Sequence, residues 1–134
     1  MKQISIFIEN KKGKLAEVVD LLAKNGINLR ALSIADTADY GILRIVTDEN
    51  DKAVKILTDN SYLAKETDVL AINIADKPGS FAKIISELAK ADVSVEYTYA
   101  FTSSDPGVAL MVFRVNDNQK AVEALKKQGF FVAL

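Results

Sequence analysis

The sequence predicts an α+β protein, made of two tandem ferredoxin-like βαββαβ modules with antiparallel sheets, packed as a pseudo-dimer. Three observations predict this fold class. The chain contains an internal repeat that covers nearly its whole length, each copy alternates strand and helix patterns in the same order, and very few residues separate the two copies.

The internal repeat is anchored on Gly13 and Gly79, which lie in loops of similar composition. The spacing between these glycines also pairs residues 4–8 with 70–74, 19–23 with 85–89 and 27–29 with 93–95. A short insertion in a predicted hairpin turn precedes the last match, between residues 52–54 and 120–122. The agreement predicts two modules, at residues 1–67 and 68–134.

The order of elements in the first module follows from its hydrophobic periodicity. Residues 4–8 alternate as a strand does, and apolar residues from Leu15 to Leu22 have the spacing of an amphipathic helix. The remaining elements are predicted as strands at 27–34 and 42–47 with a turn at 36–40, a helix at 51–60 and a strand at 62–67.

The second module repeats this order. Its pattern predicts strands at 69–75, 93–101, 108–115 and 130–133, and helices at 79–91 and 118–128. A module this small buries only about 60% of its unfolded surface, so two modules gain stability by packing together. Because residues 65–69 pass almost directly from one strand to the next, we expect a rigid pair without a flexible linker.

Composition excludes several classes of function. The chain has no cysteine and no histidine, so it lacks thiolate nucleophiles, imidazole bases and the usual zinc and haem ligands. We therefore expect neither an enzyme nor a protein that holds a metal or cofactor. A net charge of -1 gives no general attraction to nucleic acid or to a membrane. The first apolar run, residues 4–8, is too short for a signal peptide or a membrane span, so we expect a cytoplasmic protein.

One loop in each module, at residues 10–14 and 76–80, has a composition suited to binding a small ligand. Glycine lets the backbone approach a ligand closely, and the helix that follows offers N–H groups to a carboxylate. Asn10 and Asp76 precede the glycines and supply oxygen atoms for an ammonium group. The loops therefore predict a site for a free amino acid, although strand-to-helix connections that bind nothing share these features, including a proline such as Pro78 in the first helical turn.

Two segments resemble the ACT domains, which are ferredoxin-like regulatory modules that commonly bind amino acids between paired copies. Residues 76–81, Asp-Lys-Pro-Gly-Ser-Phe, resemble the loop of that family, and residues 26–29, Gly-Ile-Asn-Leu, resemble its Gly-apolar-Asn-apolar segment. The resemblance covers the whole chain, twice. It implies a non-catalytic sensor for allosteric regulation, with a free amino acid bound at the interface between the two modules.

The resemblance also implies which residues contact the ligand, with Asn28 reaching across from a neighbouring module. The implied ligand-binding residues are Asn10, Lys12, Gly13, Lys14, Leu15, Asn28, Asp76, Pro78, Gly79, Ser80, Phe81 and Ser94. Lys12 stands where the family usually has proline, and Ser94 where it often has asparagine, so we do not expect equal affinity at the two sites. Since both modules together account for the chain, any enzyme that it regulates is expected to be a separate chain.

Other functions of this topology fit the residues less well. An RNA-binding module would use aromatic residues on its central strands, but Phe7 recurs as Asn73 in the repeat. An acylphosphatase-like enzyme needs an arginine in its phosphate loop, and the arginines of this sequence all lie elsewhere. Two alternatives stay open: a ligand-free protein-interaction module that acts as the regulatory subunit of an enzyme, and a homodimer supported by the apolar segment 130–134.

Overall fold

The computed structural model describes residues 1–36, 39–102 and 105–133. They form two compact units, one of residues 2–67 and the other of residue 1 with residues 68–133. We call these units the first and second modules. Both contain strands and helices in the order βαββαβ, so the predicted ferredoxin-like fold class is confirmed. No helix within the described ranges is long and apolar enough to cross a membrane.

The first module is a four-stranded sheet with two helices. Its elements are β1 (Lys2–Glu9), α1 (Lys14–Lys24), β2 (Leu29–Asp36), β3 (Tyr40–Thr47), α2 (Asn50–Asp59) and β4 (Leu63–Asp68). The strand order is β2-β3-β1-β4, and β1 pairs antiparallel with β3, which places Ile6 opposite Leu43. The predicted turn at 36–40 includes residues 37 and 38, which lie outside the described residues.

The second module repeats this arrangement. Its elements are β5 (Leu70–Ala75), α3 (Ser80–Lys90), β6 (Val95–Ala100), β7 (Val108–Val115), α4 (Asn118–Lys127) and β8 (Val132–Ala133). The strand order is β6-β7-β5-β8. β8 pairs antiparallel with β5 at Ala71 and Ile72, and the N–H of Asn73 donates to the carbonyl of Phe131 at 3.3 Å.

Each module has its own hydrophobic core between sheet and helices. Alternate residues of β1, Ile4, Ile6 and Ile8, meet Val18 and Leu22 of α1. The corresponding fully buried residues of the second module are Leu70, Ile72, Ile84, Leu88, Phe113, Ala121 and Leu125. Burying one large aliphatic side chain stabilises a protein by about 1.5–3 kcal/mol. The apolar residues recur with the period of a strand in the sheets and of a helix in the helices. Their packing therefore holds both helices against one face of each sheet.

Two strands begin later than their apolar residues predict. The sequence pattern starts them at Ile27 and Val93, whereas β2 and β6 begin beyond these residues. The N–H groups of Ile27 and Val93 donate instead to the carbonyls of Leu22 and Leu88, at 3.0 and 2.9 Å. These hydrogen bonds close the ends of α1 and α3, so both residues belong to the helix termini although their side chains join the core.

The last strand is also shorter than predicted. The pattern predicts residues 130–133, and the structure has Val132–Ala133. The N–H of Phe130 donates to the carbonyl of Leu125 in α4, at 3.1 Å, which keeps Phe130 at the helix end. Leu134, the last residue of the apolar segment, lies outside the described residues.

Leu22→Ala should lower the free energy of unfolding by about 2–5 kcal/mol, because it empties a fully buried position of the first core. Chemical denaturation followed by circular dichroism measures the change. Leu63→Ala is the matched control, since Leu63 is 67% exposed, and it should change stability by less than about 0.5 kcal/mol. Equal losses in the two variants would contradict the described core.

Candidate functional site

The loops before α1 and α3 share one backbone conformation. Gly13 and Gly79, which directly precede the two helices, have φ angles of 88° and 89°. A residue with a Cβ atom is strained in this left-handed region, so glycine is favoured. No side chain caps the first turn of either helix. The N–H groups of Lys14 and Ser80 donate to the carbonyls of Lys11 and Lys77, at 3.2 and 3.3 Å, and the next amides of the first turn have no acceptor within the helix.

Backbone hydrogen bonds hold both loops in place. The N–H of Asn10 donates to the carbonyl of Asp39 at 3.0 Å, and that of Asp76 donates to the carbonyl of Gly107 at 2.9 Å. Asp39 and Gly107 each stand directly before the third strand of their module. The side chains of Asn10 and Asp76 are exposed. Because the two loops share this backbone arrangement, the modules differ at this site through their side chains.

Beside the loop of the second module lies a groove of about 630 Å³, which we call the second groove. It opens between the end of β5, the start of α3 and the connection from α4 to β8. Among the described residues, β8 pairs with β5 only at Ala71 and Ile72, before this part of β5. The groove is lined by Asn73, Ile74, Ala75, Lys77, Pro78, Gly79, Ser80, Lys83, Gly129, Phe130 and Phe131.

The second groove is positively charged and partly aromatic. Lys77 and Lys83 line it, and none of its described lining residues is an aspartate or glutamate. The Nζ atom of Lys83 lies 5.6 Å from the centre of the Phe130 ring, where a cation–π interaction attracts it. Phe131 is 65% exposed. The groove thus offers ammonium groups beside apolar surface, which suits a small anionic ligand with a hydrocarbon part.

The first module has a smaller groove at the equivalent place, of about 250 Å³, which we call the first groove. In the repeat, Glu17 takes the position of Lys83, and Tyr62 takes that of Phe130. The Tyr62 hydroxyl donates a hydrogen bond to a carboxylate oxygen of Glu17 at 2.8 Å. Glu9 also lines this groove. The first groove is therefore smaller than the second, and it carries two carboxylates, Glu9 and Glu17, beside the ammonium group of Lys14.

The contact between Tyr62 and Glu17 shifts the pKa of both groups. Burial, followed by the hydrogen bond to Glu17, raises the pKa of Tyr62 to about 12. That hydrogen bond also lowers the pKa of Glu17, with a further contribution from the charge of Lys14, whose Nζ lies 3.4 Å from a Glu17 oxygen. At neutral pH the phenol is protonated and the carboxylate is ionised, as the hydrogen bond requires.

Four of the predicted ligand residues line these grooves: Lys14 in the first, and Pro78, Gly79 and Ser80 in the second. Phe81, which is 38% exposed, stacks on the buried Phe113 with ring centroids 5.9 Å apart. Through this contact Phe81 packs against the hydrophobic core of the second module. Asn10, Lys12, Gly13, Leu15 and Asp76 are exposed in or beside the loops.

Asn28 and Ser94 lie at the far ends of α1 and α3 from the glycine loops. Both helices have 11 residues, a length of about 16 Å, so neither side chain reaches the loop of its own module. The N–H of Ser94 donates to the Asn116 side chain at 2.9 Å, and the N–H of Asn116 donates to the carbonyl of Ser94 at 3.1 Å. Ser94 thus stabilises its module, while contact by Asn28 with a ligand of the other module stays a prediction.

The residues that distinguish the two grooves were not predicted from the sequence. Lys83, Phe130 and Phe131 in the second module, and Glu17 and Tyr62 in the first, were not among the predicted ligand residues. The internal repeat contained a usable signal, because it exchanges a glutamate at 17 for a lysine at 83. The spatial meeting of Lys83 with Phe130 depends on where α4 ends, which the repeat does not reveal.

The fold and the paired glycine loops define a tandem of two small ferredoxin-like modules. The chain belongs to the ACT domain pair family, whose model matches residues 1–133. Among solved structures, protein BT0572 from Bacteroides thetaiotaomicron is 43% identical, with a TM-score of 0.91 over 98% of this chain and 90% of that one. The ligand-free regulatory subunit of aspartate kinase from Thermus thermophilus is 16% identical, with a TM-score of 0.69 over 94% of this chain and 91% of that one.

A second aspartate kinase regulatory subunit, from Thermus flavus, is 20% identical, with a TM-score of 0.67 over 94% of this chain and 90% of that one. At these identities the two Thermus subunits show a common fold. No curated protein matches the sequence. The family and the fold are thereby established, and the family is one of regulatory modules with no catalytic activity indicated.

Tyr62→Phe should raise the pKa of Glu17 toward its ordinary value, because the variant removes the hydrogen bond that stabilises the ionised carboxylate. An NMR titration of the side-chain carboxyl carbon measures it. Because the folded-state pKa of Glu17 is depressed, the contact stabilises the protein above the ordinary carboxyl pKa, and this effect is lost as pH falls through the folded-state pKa. The difference in unfolding temperature between wild type and variant should therefore shrink in acid.

Tyr40→Phe is the control for this experiment, because Tyr40 does not contribute to the shift at Glu17. It should leave the pKa of Glu17 unchanged. A Glu17 pKa that is the same in wild type and Tyr62→Phe would contradict the hydrogen bond.

Proposed function

We propose that this chain is a non-catalytic regulatory protein that binds a free amino acid at its glycine loops. The observation that carries the proposal is the uncapped start of α3 behind Gly79, with a groove of about 630 Å³ beside it. Small-molecule sites are typically concave spaces of about 300–1,000 Å³ with few polar groups. A free amino acid is within the size that the groove accepts.

The two ends of an amino acid have complementary partners at this loop. The α-carboxylate accepts hydrogen bonds from the first-turn amides of α3, where the helix dipole also favours negative charge. The α-ammonium donates to oxygen atoms near the end of β5, which the side chains of Asn73 and Asp76 provide. A Cβ atom at Gly79 would lie in open space, with no atom within 4 Å, and we propose that the ligand occupies this space.

The comparisons support a regulatory role. The two Thermus proteins that share the fold are regulatory subunits of aspartate kinase, and we propose that this chain likewise acts on a separate enzyme chain. Regulation requires that the amino acid bind one state of the protein more tightly than another. Binding of the ligand between the modules, and unequal affinity of the two sites, stay predictions from the sequence.

Thermal unfolding against each of the twenty amino acids tests the proposal, because a ligand at 100 times its dissociation constant adds about 2.7 kcal/mol of stability. At least one amino acid should raise the unfolding temperature of the wild type. Gly79→Asn should abolish the response, since asparagine tolerates a positive φ but fills the space in front of the amides.

Gly26→Asn is the matched control, because Gly26 also has a positive φ, of 73°, and open space around it. Gly26 lies at the far end of α1 from the glycine loop. The control should keep the full ligand response. If no amino acid changes the unfolding temperature, or if Gly79→Asn responds like the wild type, the proposed function is wrong.

A second candidate function is protein binding without a small ligand. β2 is an edge strand of the first sheet, and its Leu32 and Ile34 are 51% and 48% exposed. Edge strands present unpaired backbone groups, and exposed apolar side chains there favour pairing with another chain. We propose, under this alternative, that two copies of the chain associate through their β2 edges.

Sedimentation of the purified protein over a range of concentrations tests this alternative. Leu32→Lys should shift the chain toward the monomer without lowering its unfolding temperature, because the new charge opposes strand pairing. Leu63→Lys provides the control, since Leu63 lies on β4 at the other edge of the same sheet and is 67% exposed. A wild type that is monomeric at every concentration, or equal effects of both variants, would contradict pairing through β2.

A further inference from the structure

We infer, resting on the amino-acid binding proposed above, that the second groove selects an amino acid with a negatively charged side chain. Lys83 is the residue that meets this charge. The first groove is closed to the same ligand by the hydrogen bond between Tyr62 and Glu17. One ligand therefore binds per chain, at the second module.

The charge of the second groove favours a ligand with net negative charge. Its described lining carries Lys77 and Lys83 and no carboxylate. A neutral amino acid places its α-carboxylate on the amides of α3, so it leaves both of these ammonium groups without an anionic partner in the complex. An aspartate or glutamate ligand brings a second carboxylate, which can pair with Lys83.

The position of Lys83 fits the shape of an acidic amino acid. The N–H of Lys83 donates to the carbonyl of Gly79 at 3.0 Å, so Lys83 lies one helical turn beyond the glycine of the loop. One turn rises about 5.4 Å, which is comparable to the span between the two carboxylates of aspartate or glutamate. Lys83 also lies over the ring of Phe130, which keeps its ammonium group near the groove while Phe130 and Phe131 contact the methylene groups of the ligand.

The first groove has the opposite character although its loop backbone matches. Glu17 stands in the place of Lys83, so a ligand carboxylate would meet a like charge there. The Tyr62 hydroxyl, 2.8 Å from Glu17, spans the space that remains open beside Phe130 in the second module. The volumes agree with this difference, at about 250 Å³ against about 630 Å³.

Isothermal titration of the full chain with glutamate, glutamine, aspartate and asparagine tests the inference, because each acid and its amide have nearly the same shape. We expect an acid to bind about tenfold or more tightly than its amide, a difference of at least about 1.4 kcal/mol. The stoichiometry should be one per chain. Succinate, which has both carboxylates but no ammonium group, should bind more weakly than aspartate.

Lys83→Gln should remove the preference for the acid and leave the affinity for the amide nearly unchanged. Lys83→Arg should retain much of the preference, since it keeps the positive charge. Lys90→Gln is the control for charge, because Lys90 lies on the same helix at its far end, where it pairs with Glu87. It should keep the preference.

The outcomes separate this inference from the function on which it rests. Equal affinity for acids and amides, an unaltered preference in Lys83→Gln, or two ligands per chain would overturn the inference while amino-acid binding stands. Succinate binding as tightly as aspartate would keep the selectivity for anions and contradict an amino-acid ligand. If none of the four amino acids binds but another amino acid raises the unfolding temperature, the proposed function survives and the selectivity is wrong.

Discussion

The left-handed conformation at Gly13 and Gly79 is the constraint on which each module depends. It turns the chain from a strand into a helix within a few residues, and so decides which face of the helix meets the sheet. Val18 and Leu22 of α1, and Ile84 and Leu88 of α3, are buried in consequence. The same conformation leaves the first-turn amides without a side-chain cap, because a glycine has no side chain to supply one. Both the fold and the proposed binding site therefore require glycine at this position of the loop.

The two modules show how one backbone supports different chemistry. Their loops are tied to the third strand by equivalent hydrogen bonds, from Asn10 to Asp39 and from Asp76 to Gly107. The side chains facing the groove then differ in sign, since the first module places a phenol against a carboxylate and the second places an ammonium group against a phenyl ring. A hydroxyl can satisfy a carboxylate directly, whereas a phenyl ring leaves the ammonium group able to accept an anionic partner.

The fold was predictable from the sequence because its signals are local. Alternation in residues 4–8 and helical spacing around Val18 and Leu22 each depend on neighbours in the chain, and the repeat supplied a second copy of every pattern. Strand starts at Ile27 and Val93 were misplaced because apolar residues at a helix end join the core without joining the sheet.

The glycine loops were also predictable from the sequence, since a strand, a glycine and a helix follow one another directly. The second groove was not, because it requires the helix end near Phe130 to meet Lys83, and no local pattern encodes that meeting.

A side-chain contact spans the groove in the first module, and the corresponding contact in the second module is weaker. In the first module, Tyr62 connects the start of β4 to α1 through its hydrogen bond with Glu17, which lies 45 residues away in the chain. In the second module the corresponding contact is the attraction of Lys83 to Phe130, which is weaker and leaves the groove wider. An anionic ligand held by Lys83 and the amides of α3, and packed against Phe130, would connect α3 to the segment that follows α4. These segments are distant in sequence. Under the proposed function, a ligand therefore changes the stability of the second module. In the first module the hydrogen bond between Tyr62 and Glu17 already connects the two segments.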